Sequence, residues 1–234
     1  MPYNPGLVFH TEFTTTKVPV RLEKVRYIAG LDVAQQHDWT ALAILELYRE
    51  PGGPPKAPPE IRLVALDRWQ MLYPDTLEEL SVIFSDERFA HRVMLATDAT
   101  GPGLHLYEDM VRDETLLSAV GKDRITPVVI TSGQQEDRDG KFRKVPKHLL
   151  ITRLQSAIRR HQIRVPRKLP LYNILESEIE GYELKLREGS KQVTFSNNPR
   201  DGGPEHDDTI LALAIAHWRV HYKPKGTTKL RVHR

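Results

Sequence analysis

Tyr27 to Tyr48 reads YIAGLDVAQQHDWTALAILELY, and the order of residue types in it decides the fold. Tyr27 to Ala34 has strand composition, Thr40 to Tyr48 (TALAILELY) repeats it, and the short QQHDW turn between them predicts a hairpin. Within it, GLDVAQQHD (Gly30 to Asp38) ends a run of β-type residues in an aspartate, Asp32. The same arrangement returns in ATDATGPG (Ala96 to Gly103), where RVMLAT (Arg92 to Thr97) predicts a short strand with Asp98 at its C-terminal end. EHDD (Glu205 to Asp208) differs, because its two aspartates open an apolar helix expected from Asp207 to Val220. A fold that joined these three ends would place three or four carboxylates at one point. Such a cluster is unstable unless divalent cations neutralise it.

The remaining segments say what kind of fold this is. After the proline-rich connection EPGGPPKAPPE (Glu50 to Glu60), Ile61 to Trp69 makes a third strand of a meander. Tyr73 to Thr76 leads into a helix, with Asp75 or Thr76 as N-cap and Leu77, Leu80 and Phe84 as its apolar stripe. A second helix runs through Leu106, Met110 and Val111, and Ile125 to Ile130 is a buried strand. Thr131 to Val145, with its Asp139-Gly140 pair, reads as an exposed hairpin or loop. Pro146 to His161 predicts a helix, Tyr172 to Leu186 a weaker one, and Gln192 to Phe195 a short strand. This order predicts an α/β fold: a ribonuclease H-like mixed β-sheet, a three-strand meander plus parallel strands, flanked by helices. Open α/β sheets bind ligands beyond the carboxyl ends of their strands, where Asp32 and Asp98 are expected. Residues 1–26 read as a lead-in or linker, 27–222 as the domain, and 223–234 as a basic tail expected to be disordered.

Composition narrows the function. A chain of 234 residues with 39% hydrophobic and 28% charged residues is an ordinary soluble globular protein. No run of 18 apolar residues and no secretory signal is present, so neither a membrane span nor export is expected. The absence of cysteine excludes disulfides and thiolate metal sites. A net charge of +3 hides a strong asymmetry. Arg138 to Lys168 holds eleven Lys/Arg and one acid, and His217 to Arg234 holds six Lys/Arg and none. A basic block beside an acidic cluster is what cutting a polyanion requires, since cations hold phosphates while carboxylates hold metals.

GLDVAQQHDWTALAIL, MLATDATGPGLHLYEDM, VPKHLLITRLQSAIRRHQIRVP and EHDDTILALAIAHW resemble, in order and spacing, the nuclease domain of phage large terminase subunits, from about Tyr27 to His221. The resemblance implies a two-metal endodeoxyribonuclease with two Mg²⁺ or Mn²⁺ ions, cutting concatemeric double-stranded viral DNA with little sequence specificity. It also implies a host-cytoplasmic viral protein, no membrane, and as possible partners an ATPase domain, a small terminase subunit and a portal. Position by position, Asp32 would bridge both metals, Asp98 would follow the fourth strand, and Asp208, with Asp207, would supply the acid on the last helix. Asp38 matches an accessory acid and Lys147 a basic position opening a helix. Thr131 to Val145 matches a hairpin suspected of gating DNA. Arg143, Lys144, Lys147 and Arg153 are the candidate phosphate-backbone contacts. Hard oxygen-seeking cations fit Asp better than His or Cys at these places.

Large terminases also carry an ATPase, whereas this chain contains no G-x-x-x-x-G-K-[ST] loop; Gly121-Lys122 is followed by Asp123. The chain is therefore either an excised nuclease domain or a separate nuclease. Plainer readings stand beside each residue. Asp32, Asp98 and Asp38 also suit turns, Asp207 or Asp208 an N-cap, His37 and His206 exposed loops, and Lys147 the surface. Rival functions are a junction resolvase or transposase core, a sugar-kinase-like phosphotransferase, and a non-catalytic DNA-binding module.

Overall fold

Alternation along the first strand sorts its side chains onto two faces, and the layers of the molecule follow from that sorting. Strand β1 (Arg26–Asp32) sends Ile28 into one apolar cluster and Ala29 and Leu31 into another. The computed structural model describes residues 26–34, 38–53, 58–186, 193–196 and 206–222. The lead-in up to residue 25, His37, Glu205 and the tail 223–234 lie outside the described residues.

β1 pairs antiparallel with β2 (Thr40–Tyr48), which pairs antiparallel with β3 (Glu60–Trp69), giving the expected meander. On its other side β1 pairs parallel with β4 (Val93–Asp98), and β4 with β5 (Ile125–Thr131). A hairpin of β6 (Asp137–Asp139) and β7 (Phe142–Pro146) follows, with β7 parallel to β5. β8 (Ile163–Arg164) closes the opposite edge beside β3. The order across the sheet is β6-β7-β5-β4-β1-β2-β3-β8, and β9 (Glu183–Leu186) and β10 (Val193–Ser196) form a separate two-stranded sheet.

Helices α1 (Tyr73–Ser85), α2 (Gly103–Met110) and α3 (Glu114–Val120) cover the Leu31 face through Phe84, Leu106 and Leu116. Helices α4 (Lys147–Arg159), α5 (Tyr172–Gly181) and α6 (Asp208–His221) cover the Ile28 face through Leu154, Leu175 and Leu213. The chain thus adopts the expected mixed sheet flanked by helices. α6 is apolar all round because it is buried on all sides, between β1 and β2 on one side and α4 and α5 on the other. Its approach to the sheet is unusually close. A Cβ added to Gly30 would overlap the Ala212 carbonyl oxygen and the Ala216 nitrogen, so β1 can carry only glycine there. No helix among the described residues is long and apolar enough to cross a membrane.

Several local expectations are corrected. α1 has Leu72, not Asp75 or Thr76, at its N-cap, because Pro74 fits the first helical turn. Thr76 instead accepts a hydrogen bond from Trp69 Nε1 at 3.2 Å. The region after Met110 holds a further helix, α3, whose N-cap Asp113 accepts from Leu116 N at 2.6 Å. The helix expected to reach Leu186 stops at Gly181, and the remainder pairs with β10 as strand β9. The hairpin expected within Thr131 to Val145 is present, and its second arm widens the main sheet.

Gly30→Ala is expected to lower stability by about 1–3 kcal/mol, since the obstacle is helix backbone and cannot rotate away. A thermal melt followed by circular dichroism measures this, and an unchanged midpoint would refute the close-contact argument.

Candidate carboxylate site

Strand register brings two of the acids together. In the parallel β1–β4 ladder Leu31 stands opposite Thr97, so Asp32 and Asp98 are neighbours one residue further along. Parity directs both toward α6, since Ile28 and Ala96 on the same strands join the cluster that includes that helix. The turn after Asp98 is built to stay close to it. Thr100 N donates to Asp98 Oδ1 at 2.8 Å, and Thr100 Oγ1 accepts from Ile130 N at 2.7 Å, tying the turn to β5. Gly103 lies so near that an added Cβ would stand 2.5 Å from the Asp98 carbonyl oxygen.

α6 supplies the third acid from its first turn. Asp207 occupies the N-cap position but makes no side-chain cap, and its Oδ2 instead accepts from Lys147 Nζ at 2.6 Å. The capping is done from another helix. Glu178 of α5 accepts from Ile210 N at 2.8 Å and from Thr209 Oγ1 at 2.5 Å, satisfying a backbone donor that the first turn leaves open. Glu178 is 1% exposed, and its second oxygen, Oε1, has no hydrogen-bond partner. Asp208 Oδ2 is likewise buried without a hydrogen bond, with His206 Nδ1 3.8 Å away.

These acids resist ionisation. Burial, then the neighbouring charges of Asp98, Asp208 and Asp207, push Asp32 well above the ordinary carboxylate range, against the pull of Lys147. Burial pushes Asp98 up to about 6 although hydrogen bonds from Thr100 oppose it. Asp208 is also raised to about 6, by burial first and by Asp207 and Asp38, with His206 and Arg68 opposing. Glu178 reaches about 7, again through burial. For Lys147, burial is outweighed by Asp207, Tyr182 and Asp32, so it is held charged among the acids.

The geometry thus gathers Asp32, Asp98, Asp207, Asp208 and Lys147, with Asp38 exposed at the Asp208 side. It does not gather Arg143, Lys144 and Arg153, which line a separate cavity. Lys144 pairs with Asp139 at 3.0 Å within the hairpin, and Arg153 of α4 pairs with Glu136 just before it. Lys147 is no ordinary surface lysine, and His206 is no free loop histidine, since each faces an acid of the site. Glu178, Arg68 and Tyr182 escaped the sequence reading. The signal for Glu178 was present: an acid in register with Leu175 on the buried stripe of its helix.

The donors suit hard divalent cations: oxygen ligands only, an acceptor atom of Asp208 left unused, and like charges that a cation would relieve. Among the described residues no three His, Asp or Glu side chains are drawn close enough to hold one ion, so binding requires Asp32, Asp98 and Asp208 to turn inward together. Mutual repulsion is the force that opposes such closure.

No protein-family model and no curated protein matches the sequence. The backbone is similar to that of the large terminase nuclease from thermophilic phage G20c with bound magnesium, with TM-score 0.56 and 19% identity over 84% of this chain and 82% of that one. A second structure of that nuclease matches with TM-score 0.50 and 16% identity, over 85% and 83% of the two chains. The manganese-soaked, inhibitor-bound terminase nuclease domain of human cytomegalovirus overlaps with TM-score 0.49 and 11% identity, over 84% of each chain. The likeness to the phage enzyme is one of fold: this chain has the ribonuclease H-like fold of a large terminase nuclease, over most of its length.

Two predictions follow from the buried acids. Asp98 and Asp208 titrate near 6 in the folded chain and near 4 when unfolded, so their neutral forms favour the fold fully below about pH 4. That contribution is lost as pH rises through 6. In chelator at pH 7.5, Asp98→Asn and Asp208→Asn are each expected to melt above the parent, by up to about 3 kcal/mol, with the gap closing at pH 4. Melts at the two pH values check this, and parent-like midpoints at pH 7.5 would contradict it. Glu178→Ala strands the Ile210 N–H and should cost about 1–3 kcal/mol, whereas Glu178→Gln keeps an acceptor and should melt at or above the parent. Equal midpoints for the two variants would remove Glu178 as the cap of α6.

Proposed function

We propose that this chain is a divalent-metal-dependent DNA endonuclease of the genome-packaging kind, hydrolysing phosphodiester bonds with little sequence preference. The observation that carries the reading is the pair Asp32 and Asp98, side by side at the carboxyl ends of parallel strands and facing Asp208 at the start of α6. Three buried carboxylates whose ionisation is this costly are a poor way to build a stable protein and a good way to build a cation site. The fold shared with a terminase nuclease whose structure contains magnesium points the same way.

In this reading Asp32, Asp98 and Asp208 would hold two Mg²⁺ or Mn²⁺ ions, which would supply a nucleophilic water at neutral pH and charge neutralisation at the leaving oxygen. The remaining work falls to the chain itself. Asp32, whose ionisation both Asp98 and Asp208 oppose, would be a ligand together with them. Lys147 holds Asp207 aside through the 2.6 Å ion pair, which leaves Asp208 as the ligand of α6. The same ammonium stands ready to meet a non-bridging phosphate oxygen beside the acids. Asp38 and Arg68 flank Asp208 and set the charge on that side of the entering strand. Cations of the β6–β7 hairpin and α4 approach backbone phosphates, which carry no sequence information, hence the tolerance for sequence.

Asp32→Ala and Asp98→Ala are expected to reduce nicking of plasmid DNA in Mg²⁺ or Mn²⁺ to background while gel-shift binding of DNA survives. Titration calorimetry with Mn²⁺ alone should give binding in the parent and none in Asp32→Ala. Full cleavage by either variant would refute the assignment.

A further inference from the structure

A second cavity, of about 650 Å³, lies beneath the β6–β7 hairpin between α4 and the last turns of α6. That volume falls in the range of small-molecule sites, roughly 300–1,000 Å³. Its aromatic end lies apart from the acids, because α6 carries Asp208 at its first residue and reaches the cavity only with His217 and Trp218, about 14 Å further along the helix, while Arg143 stands two strands from Asp98 in the sheet.

Its lining has three distinct zones. His217 is 4% exposed, and its Nε2 lies 3.1 Å from His221 Nε2, so one ring donates and the other accepts. Its other nitrogen, Nδ1, is buried with no hydrogen-bond partner among the described residues. Burial, with His221 and Arg153 adding to it, lowers His217 to about 4, so this part of the lining is uncharged near neutral pH. Beside it Trp218 and Tyr222 stack with ring centroids 4.8 Å apart and planes 27° from parallel. The third zone is basic. Arg153 pairs with Glu136, but Arg138 and Arg143 hydrogen-bond backbone carbonyls: Arg138 Nε to Gly140 O at 2.9 Å, Arg143 Nη1 to Gly140 O and Phe142 O at 3.2 Å. Arg143 Nε is buried and unpartnered.

We propose that this cavity binds a nucleotide unit, with the base against the part-exposed Tyr222, whose ring is backed by Trp218, and beside His217, and the phosphate held by Arg138 and Arg143. The match is chemical at each zone. A flat aromatic base stacks on an aromatic wall whatever its identity. A neutral imidazole nitrogen with no partner offers one hydrogen bond to a base edge, as donor or acceptor according to tautomer. Guanidinium forks suit phosphate oxygens better than point charges do. Two buried polar atoms lacking partners, one on the imidazole and one on a guanidinium, are a cost that a ligand with both functions removes. The unit is either a free mononucleotide or the 5′-phosphorylated terminal nucleotide of a DNA strand; the strand-end source rests on the nuclease reading, the free nucleotide does not.

The test is calorimetric titration of the full chain in EDTA, which leaves the carboxylate site without cations. The probes are dAMP, a 5′-phosphorylated tetradeoxynucleotide, and the same tetranucleotide with a 5′-hydroxyl. Saturable binding is expected, about tenfold weaker in Arg143→Gln and in His217→Phe, and unchanged in Asp98→Ala. The half-buried Arg143→Gln keeps the test valid should the buried His217→Phe fail to fold. Equal affinity for dAMP and the phosphorylated strand identifies a free nucleotide. A clear preference for the phosphorylated strand over both other probes identifies a strand end. No binding by any probe at millimolar concentration, binding untouched by Arg143→Gln, or loss of binding in Asp98→Ala would each overturn the proposal. None of these outcomes bears on metal-dependent cleavage, which is read separately.

Discussion

Helix α6 lies on the backbone of Gly30 with no side chain between them, and the position of each acid follows from that contact. β1 and β4 are fixed by their ladder, so Asp32 and Asp98 have one place to stand. Asp208 is different, because it rides on a helix whose position is decided by packing. Ala212 and Ala216, one turn apart, present a small-residue groove to the strand, and a close approach there lowers the first turn over the ends of β1 and β4. A larger residue at position 30 would lift the helix and carry Asp208 away with it. Sheet register and helix approach are therefore two halves of one device.

The device is held in place against its own electrostatics. Four carboxylates, Asp32, Asp98, Asp208 and Glu178, are pushed upward in pKa chiefly by burial. Glu178 differs from the others because it has structural work: it closes the first turn of α6 from a neighbouring helix, where Asp207 would ordinarily do so. Asp207 is released from capping and spent instead on Lys147. One exchange of roles thus yields both a fixed helix start and a lysine held among acids. Stability is given up at this place in a fold that elsewhere packs apolar residues densely on both faces of its sheet.

Much of this was legible in the sequence. β1 and β4 each announce themselves as β-type runs ending in an aspartate, and α6 as a stretch with no polar face, which only a wholly buried helix can carry. The same runs placed Asp32 and Asp98 at strand ends, and it took the β1–β4 register to put both on the face toward α6. Three kinds of feature stayed hidden, each because it depends on a partner distant in the chain. Glu178 reads as one of several acids in NILESEIEG until its contact 32 residues away is known. β9 carries a sequence that suits a helix as well, and becomes a strand only through pairing with β10. The N-cap of α1 was misassigned because Pro74 sets the first turn through its fixed φ, which outweighs the capping preference of the acid after it.

The magnitudes indicate why the acids need more than the protein offers them. The dipole of α6 favours negative charge at its N-terminus, where Asp207, Asp208 and Glu178 gather, but such an effect is worth roughly 0.3–1 kcal/mol. A carboxylate raised to about 6 is short of its ordinary ionised state by about 3 kcal/mol. Lys147 supplies one positive charge and already commits it to Asp207. Helix dipole and lysine together therefore fall short of three ionised aspartates. Within the chain alone the acids are therefore held toward their neutral forms, and the cations of the proposed function are what would let all three ionise together.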